Sequence, residues 1–281
     1  MSLFQLSPHQ LVDKKGKEKI VGITAYDYIS ARLAEETGVD FILIGDSASM
    51  VMLGHPDTFP ITMDEILLFC KAVSRGAEKT LRIGDMPFLS YQVSKEQAIY
   101  NAGLFIKEGR CHGVKIEGGL EVVPIVEAIV RAGIPVMGHI GVTPQRSMEI
   151  GGLKVRGKNL EIAKDILDSA LALEKAGVFA IVLECIPSEL SEYITEKVKI
   201  PTIGIGAGPK TDGQILVFHD VVGLFPNIRP KFVKSYINGY ELFRDALSSY
   251  VKDVREKNFP NREHSFTVSQ EIIEELRKIY D

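Results

Sequence analysis

Residues 41–47 read FILIGDS: four apolar residues run straight into Gly45, Asp46 and Ser47. A run this short and this apolar is expected where a strand is buried on both faces, as in a parallel sheet. Its abrupt end on a carboxylate is repeated elsewhere. TLRIGD (80–85) ends on Asp85, GVKIE (113–117) on Glu117, and AIVLE (180–184) on Glu184. One acid at a strand exit is ordinary as a helix N-cap or a surface ion pair. Four of them, each closing a different hydrophobic run, point to one place where strand ends meet.

Similar β-rich runs alternate with helical patterns along the whole chain, the signature of βα units around a parallel sheet. Strands are expected near Ile20–Ala25, Phe41–Gly45, Leu81–Gly84, Gly113–Glu117, Pro135–Gly138, Ala180–Leu183, Thr202–Ile205 and Val221–Phe225. Between them, stretches such as TMDEILLFCKAVSRG and NLEIAKDILDSALALEKAG carry apolar residues at spacings of three and four, and several end in Gly, as a helix C-terminus should. Eight strands with no linker between halves favour an α/β fold of the (β/α)8, or TIM barrel, type over an open doubly wound sheet. Residues 1–281 are read as a single barrel domain. Additional C-terminal helices follow PKFVKSY, and 258–281 forms an extension.

With 281 residues, 45% of them hydrophobic, the chain can bury a core of that size. No apolar run is long enough to span a bilayer, and the N-terminus lacks the apolar core and small-residue cleavage site of a secretory signal. A cytoplasmic location is expected. The three cysteines, Cys70, Cys111 and Cys185, form no CxxC pair and are read as core thiols. A net charge of −4 without a long basic run argues against nucleic acid as a partner.

In a barrel of this kind the C-terminal strand ends share the face that carries the chemistry, so Asp46, Asp85, Glu117, His139 and Glu184 are expected to converge. Crowded carboxylates repel unless a cation lies between them. An all-oxygen set without thiolates suggests a hard metal, Mg²⁺ before Zn²⁺. Lys115 stands two residues before Glu117, so both side chains leave the strand on one side. It can neutralise the acids, bind a substrate carboxylate or, with a depressed pKa, form an imine. Glu184 sits between AIVL and CIP, a setting expected to desolvate it and make it a usable general base. Of the six histidines, His139 is the most site-like because it too ends a strand. GIGAGPKTDGQ lacks the spacing of a nucleotide loop, leaving a backbone nest for phosphate or a close approach at the barrel mouth.

The ordered motifs GDSASMVMLGHPDTFPIT, DMPFLSY, VKIEGG, GIPVMGHIGVTPQ, GGLKVRGK, FAIVLECIP, IPTIGIGAG, DGQILVFHD and PKFVKSY span about residues 23–266. Together they resemble the ketopantoate hydroxymethyltransferase family. That resemblance implies the (β/α)8 barrel of the phosphoenolpyruvate/pyruvate superfamily and a step in pantothenate and coenzyme A biosynthesis. The implied reaction is Mg²⁺-dependent transfer of a hydroxymethyl group from 5,10-methylenetetrahydrofolate to 3-methyl-2-oxobutanoate, giving 2-dehydropantoate and tetrahydrofolate. It further implies a homo-oligomer, in many members a decamer. Carried over by position, Asp46 and Asp85 are metal-binding acids around the keto acid, and Glu117 helps to hold the metal. Ser47 and Lys115 contact the keto acid, His139 lies in the substrate-side motif, and Glu184 is the proton acceptor. Leu153, Arg156 and Thr211 depart from residues common in the family.

Other barrel chemistries remain as contrasts: a Mg²⁺-dependent C–C lyase or phosphonate mutase, a Schiff-base aldolase using Lys115, or a barrel that only binds. The first needs a reactive cysteine or a firm phosphate grip, whereas Cys185 is expected to alternate away from Glu184 as packing.

Overall fold

Eight parallel strands close on one another in sequence order. They are β1 (Ile20–Thr24), β2 (Phe41–Ile44), β3 (Leu81–Asp85), β4 (Gly113–Glu117), β5 (Val136–Gly141), β6 (Ala180–Glu184), β7 (Thr202–Ile205) and β8 (Gly213–Leu216), with β8 pairing back on β1. The computed structural model describes residues 7–146, 148, 154–226 and 230–281. The expected (β/α)8 barrel is therefore the observed fold.

Alternation along the strands sorts the apolar residues into two layers. Phe41, Leu43, Leu81, Ile83, Met137, Val182, Ile203 and Ile215 fill the barrel interior. Ile42, Ile44, Val114, Ile116, Val136, Ile140, Ile181 and Leu183 face outward and are buried against the helices. The helix Pro8–Lys14 joins the inner layer through the fully buried Leu11, and the following Lys15 is tied to Asp212 at 2.7 Å. Helix starts follow their sequence signals. Asp27 accepts hydrogen bonds from the Ile29 and Ser30 amides, and Thr62 with Glu65 forms a capping box ahead of Met63–Gly76.

Two strands differ from expectation: β5 runs on to Gly141, so His139 lies within it and does not end it, and the last strand is displaced. The eighth strand is Gly213–Leu216, inside DGQIL, whereas the expected Val221–Phe225 contains the end of the short helix Phe218–Val221 and a turn through Gly223 at φ +63°. Gly213 disguises the strand because glycine is a poor β-former. Closure nevertheless requires it: a Cβ there would lie 2.5 Å from the Ile20 carbonyl oxygen.

The C-terminal helices Gly239–Arg255 and Gln270–Tyr280 form as expected, yet of their residues only Gly239 is buried. The outward residues Val21 of β1 and Gln214 of β8 are exposed as well. Among the described residues, this sector of the barrel wall thus lacks the helical cover found over β2 to β6. Among the described residues, no helix is long and apolar enough to cross a membrane.

Candidate active site

Strand parity explains which side chains meet. Ile83 points inward on β3, so Asp85 does too. Met137 does so on β5, bringing His139 inward, and Val182 on β6 does the same for Glu184. Register then sets neighbours side by side: Asp85 pairs with Lys115, and Glu117 with His139. Asp46 follows β2 by two residues and is anchored where its backbone N–H donates to Asp85 Oδ2 at 3.0 Å.

Lys115 is the hub. Its Nζ lies 2.9 Å from Asp85 Oδ1, 3.0 Å from Glu117 Oε1 and 3.1 Å from His139 Nδ1, and the side chain is only 3% exposed. The far ring nitrogen of His139, Nε2, lies 3.1 Å from Glu184 Oε2. Glu184 is less buried than its sequence setting suggests, with 18% of its side chain exposed, because it stands at the upper end of β6 and faces the cavity. Ser47 is placed by a 2.8 Å hydrogen bond between its Oγ and the Tyr26 hydroxyl. All of these candidate residues line one cavity of about 330 Å³ at the barrel mouth, whose apolar wall includes Met50, Val142, Phe225 and Phe232.

The electrostatics leave room for a cation. Ligand atoms of Asp46, Asp85 and Glu117 lie within 4.8 Å of one another, all buried. Burial first, then the charges of Asp85 and Glu117, raise the Asp46 carboxyl well above its usual range, and burial likewise raises Asp85. Glu117 behaves oppositely: Lys115 and His139 outweigh its burial and hold it at about 2. For Lys115, burial is outweighed by Asp85, Glu117 and Asp46, which keep it an ammonium. Burial and Lys115 push His139 down, but Glu117 and Glu184 win and raise it to about 9. Lys115 and a protonated His139 together carry fewer charges than Asp46, Asp85, Glu117 and Glu184 can when ionised. This hard, all-oxygen donor set fits a divalent cation, with Asp46 the least engaged acid, since Glu117 and Asp85 each meet protein partners through both oxygens.

Two buried residues of this network escaped the reading of the sequence. Gln145, in the 3₁₀ turn after β5, donates its backbone N–H to Glu117 Oε2 at 3.1 Å and its side-chain Nε2 to Asp46 Oδ2 at 3.0 Å. The Tyr91 hydroxyl donates to Gln145 Oε1 and to the Glu117 carbonyl. Both stand in quoted motifs, DMPFLSY and GVTPQ, but several residues beyond the strand ends, where no periodicity marks them.

Cys185 corrects a detail. It lies beyond β6 at φ +48°, not in alternation along a strand, and it lines the mouth. Burial raises its thiol to about 12, so it is a poor nucleophile. Cys70 and Cys111 are buried. Thr211 is fully buried and donates to the Gly213 carbonyl at the start of β8, at the end of the barrel opposite the mouth. The Arg156 backbone N–H donates to the Cys185 carbonyl at 3.0 Å, while Leu153 lies outside the described residues. In the glycine-rich loop, Gly208 allows a close approach: at φ +81°, its Cβ would lie 2.2 Å from Ser188 Oγ.

A closed parallel barrel with acids, a lysine and a histidine at its C-terminal mouth defines a class of (β/α)8 enzymes, and solved structures share this fold. A phosphoenolpyruvate phosphomutase from Streptomyces platensis subsp. rosaceus matches with a TM-score of 0.61 at 14% identity, covering 98% of this chain and 96% of that one. A 2,3-dimethylmalate lyase of the PEP mutase/isocitrate lyase superfamily matches at TM-score 0.58 and 15% identity, covering 99% and 98%. The chain belongs to the ketopantoate hydroxymethyltransferase family, whose sequence model matches residues 5–262. It is 52% identical over 263 residues to a 3-methyl-2-oxobutanoate hydroxymethyltransferase of Carboxydothermus hydrogenoformans, covering 94% of this chain and 95% of the relative. The enzyme of that name from Thermosipho melanesiensis is 56% identical over 252 residues, covering 90% and 95%.

Proposed function

We propose that this protein transfers a hydroxymethyl group from 5,10-methylenetetrahydrofolate to 3-methyl-2-oxobutanoate, forming 2-dehydropantoate and tetrahydrofolate. The observation that carries this reading is near-full-length identity above 50% to enzymes bearing that name, in a chain whose acid cluster lies in one buried cavity. Asp46 and Asp85, assisted by Glu117, hold Mg²⁺. The ion, when bound, stabilises negative charge developing on the keto oxygen as the C3 proton leaves. Glu184 takes that proton, and His139, 3.1 Å from its Oε2, orients the carboxylate. Lys115 serves as a fixed positive charge beside the keto acid's carboxylate; three neighbouring acids keep it protonated and thus unsuited to imine formation. Ser47, held by Tyr26, contacts the keto acid. The apolar wall of the cavity excludes water while the one-carbon unit moves.

The protein works as a homo-oligomer in this reading, and the exposed apolar face of Gly239–Arg255 supports it. The activity test is to incubate purified protein with Mg²⁺ and both substrates and to seek 2-dehydropantoate by mass spectrometry. Product that disappears with EDTA is expected. No product with active folate would overturn the assignment.

A further inference from the structure

We infer that Gln145 is a positioning residue that sets how tightly and in what geometry the acid cluster holds its divalent cation. The inference rests on the metal reading given above.

Gln145 is 1% exposed, and its side-chain amide is satisfied at both ends. Nε2 donates to Asp46 Oδ2 and to the Met86 carbonyl, both at 3.0 Å. Oε1 accepts from Tyr91 at 2.9 Å, so the amide can face only one way: nitrogen toward two acceptors, oxygen toward a phenol. Adding the backbone bond to Glu117 Oε2, this residue ties together the ends of β2, β3 and β4 from the turn after β5. It grips two of the three acids while touching the cavity's metal-binding oxygens with no ionic charge.

Neutrality is the physical point. Buried carboxylates converging on one spot repel and would turn away from each other unless held. Lysine or arginine at position 145 would hold them but compete with the cation for their charge. Glutamate there would add to the repulsion. A neutral amide orients Asp46 through one oxygen and leaves its negative charge for the ion. Partners of metal ligands that act in this way typically alter affinity about 10- to 100-fold when removed.

The test uses the full-length protein with Mn²⁺ as the probe, read by electron paramagnetic resonance. Gln145→Met keeps the volume and loses the donor. Tyr91→Phe removes only the hydroxyl that fixes the amide and guards against a folding failure of the first variant. Gln145→Met should weaken Mn²⁺ about 10-fold or more and alter the bound-ion spectrum, with Tyr91→Phe shifting both in the same direction by less. The KM for keto acid should rise while that for folate holds. Wild-type protein that forms product and binds Mn²⁺, together with variants of unchanged affinity and spectrum and only a lower Tm, would overturn the role of Gln145 alone. Wild-type protein that binds no Mn²⁺ would overturn it together with the metal reading, and product formation would then show whether the activity stands without that site.

Discussion

At the scale of single residues, the site assigns separable jobs to carboxylates of like chemistry. Asp46 and Asp85 are buried and pushed toward protonation, a state that a cation reverses, whereas Glu184 is partly open to the cavity and touches only His139 among the cluster. Asp85→Ala should therefore abolish Mg²⁺-dependent binding of keto acid in calorimetric titration; undiminished metal-dependent binding would refute the ligand assignment. Glu184→Gln should spare that binding and lower kcat on the order of 10²–10⁴-fold, the usual worth of a general base. The decisive readout is exchange of the C3 proton of 3-methyl-2-oxobutanoate with D₂O in the absence of folate. Exchange at the wild-type rate in the variant would move Glu184 to the folate step.

At the scale of elements, the barrel depends on close approaches at its seam. Gly213 packs so tightly on β1 that a methyl group would strike the Ile20 carbonyl. Gly213→Ala should cost about 1–3 kcal/mol, read as a lower Tm, through forced displacement between β8 and β1. An unchanged Tm would mean that the seam relaxes freely. The β3–β4 junction offers a pH-sensitive element. The Arg82 backbone N–H donates to His112 Nδ1 at 3.0 Å, while burial and the Arg82 charge depress the imidazole to about 4 from 6.5. A histidine held neutral in the folded state contributes stability that is complete above about 6.5 and lost as pH falls toward 4. His112→Asn, which keeps an acceptor, should flatten the fall of Tm between those limits, and identical acid profiles for both proteins would contradict this.

For the whole molecule, the notable feature is a helix whose apolar face is exposed among the described residues, apart from a ring contact between Tyr250 and Phe259. Tyr240, Phe243, Leu247, Tyr250 and Val254 recur at alternating spacings of three and four on Gly239–Arg255, and all are exposed. Such a stripe normally buries itself against another surface. The exposed β8–β1 wall shows that this helix does not close its own barrel, and in the homo-oligomer proposed above a second copy would supply the cover. Leu247→Glu should reduce the particle mass measured by light scattering on a sizing column. A mass equal to wild type would exclude this face from the assembly.

The sequence alone determined the alternation of strand and helix, the acids at strand exits and the pairing of Lys115 with Glu117 on one side, because period-two and period-3.6 patterns are local consequences of backbone geometry. It also carried the family motifs. It misplaced β8, since a glycine required by contact with Ile20 looks like a loop when its neighbour in space is unknown. Only the tertiary structure decided that Gln145 and Tyr91 grip the acids and that Cys185 turns toward the mouth. It also decided that the C-terminal helix leaves the barrel wall bare. Each of these depends on contacts between segments far apart in the chain, and packing between distant segments leaves no period in the sequence that makes it.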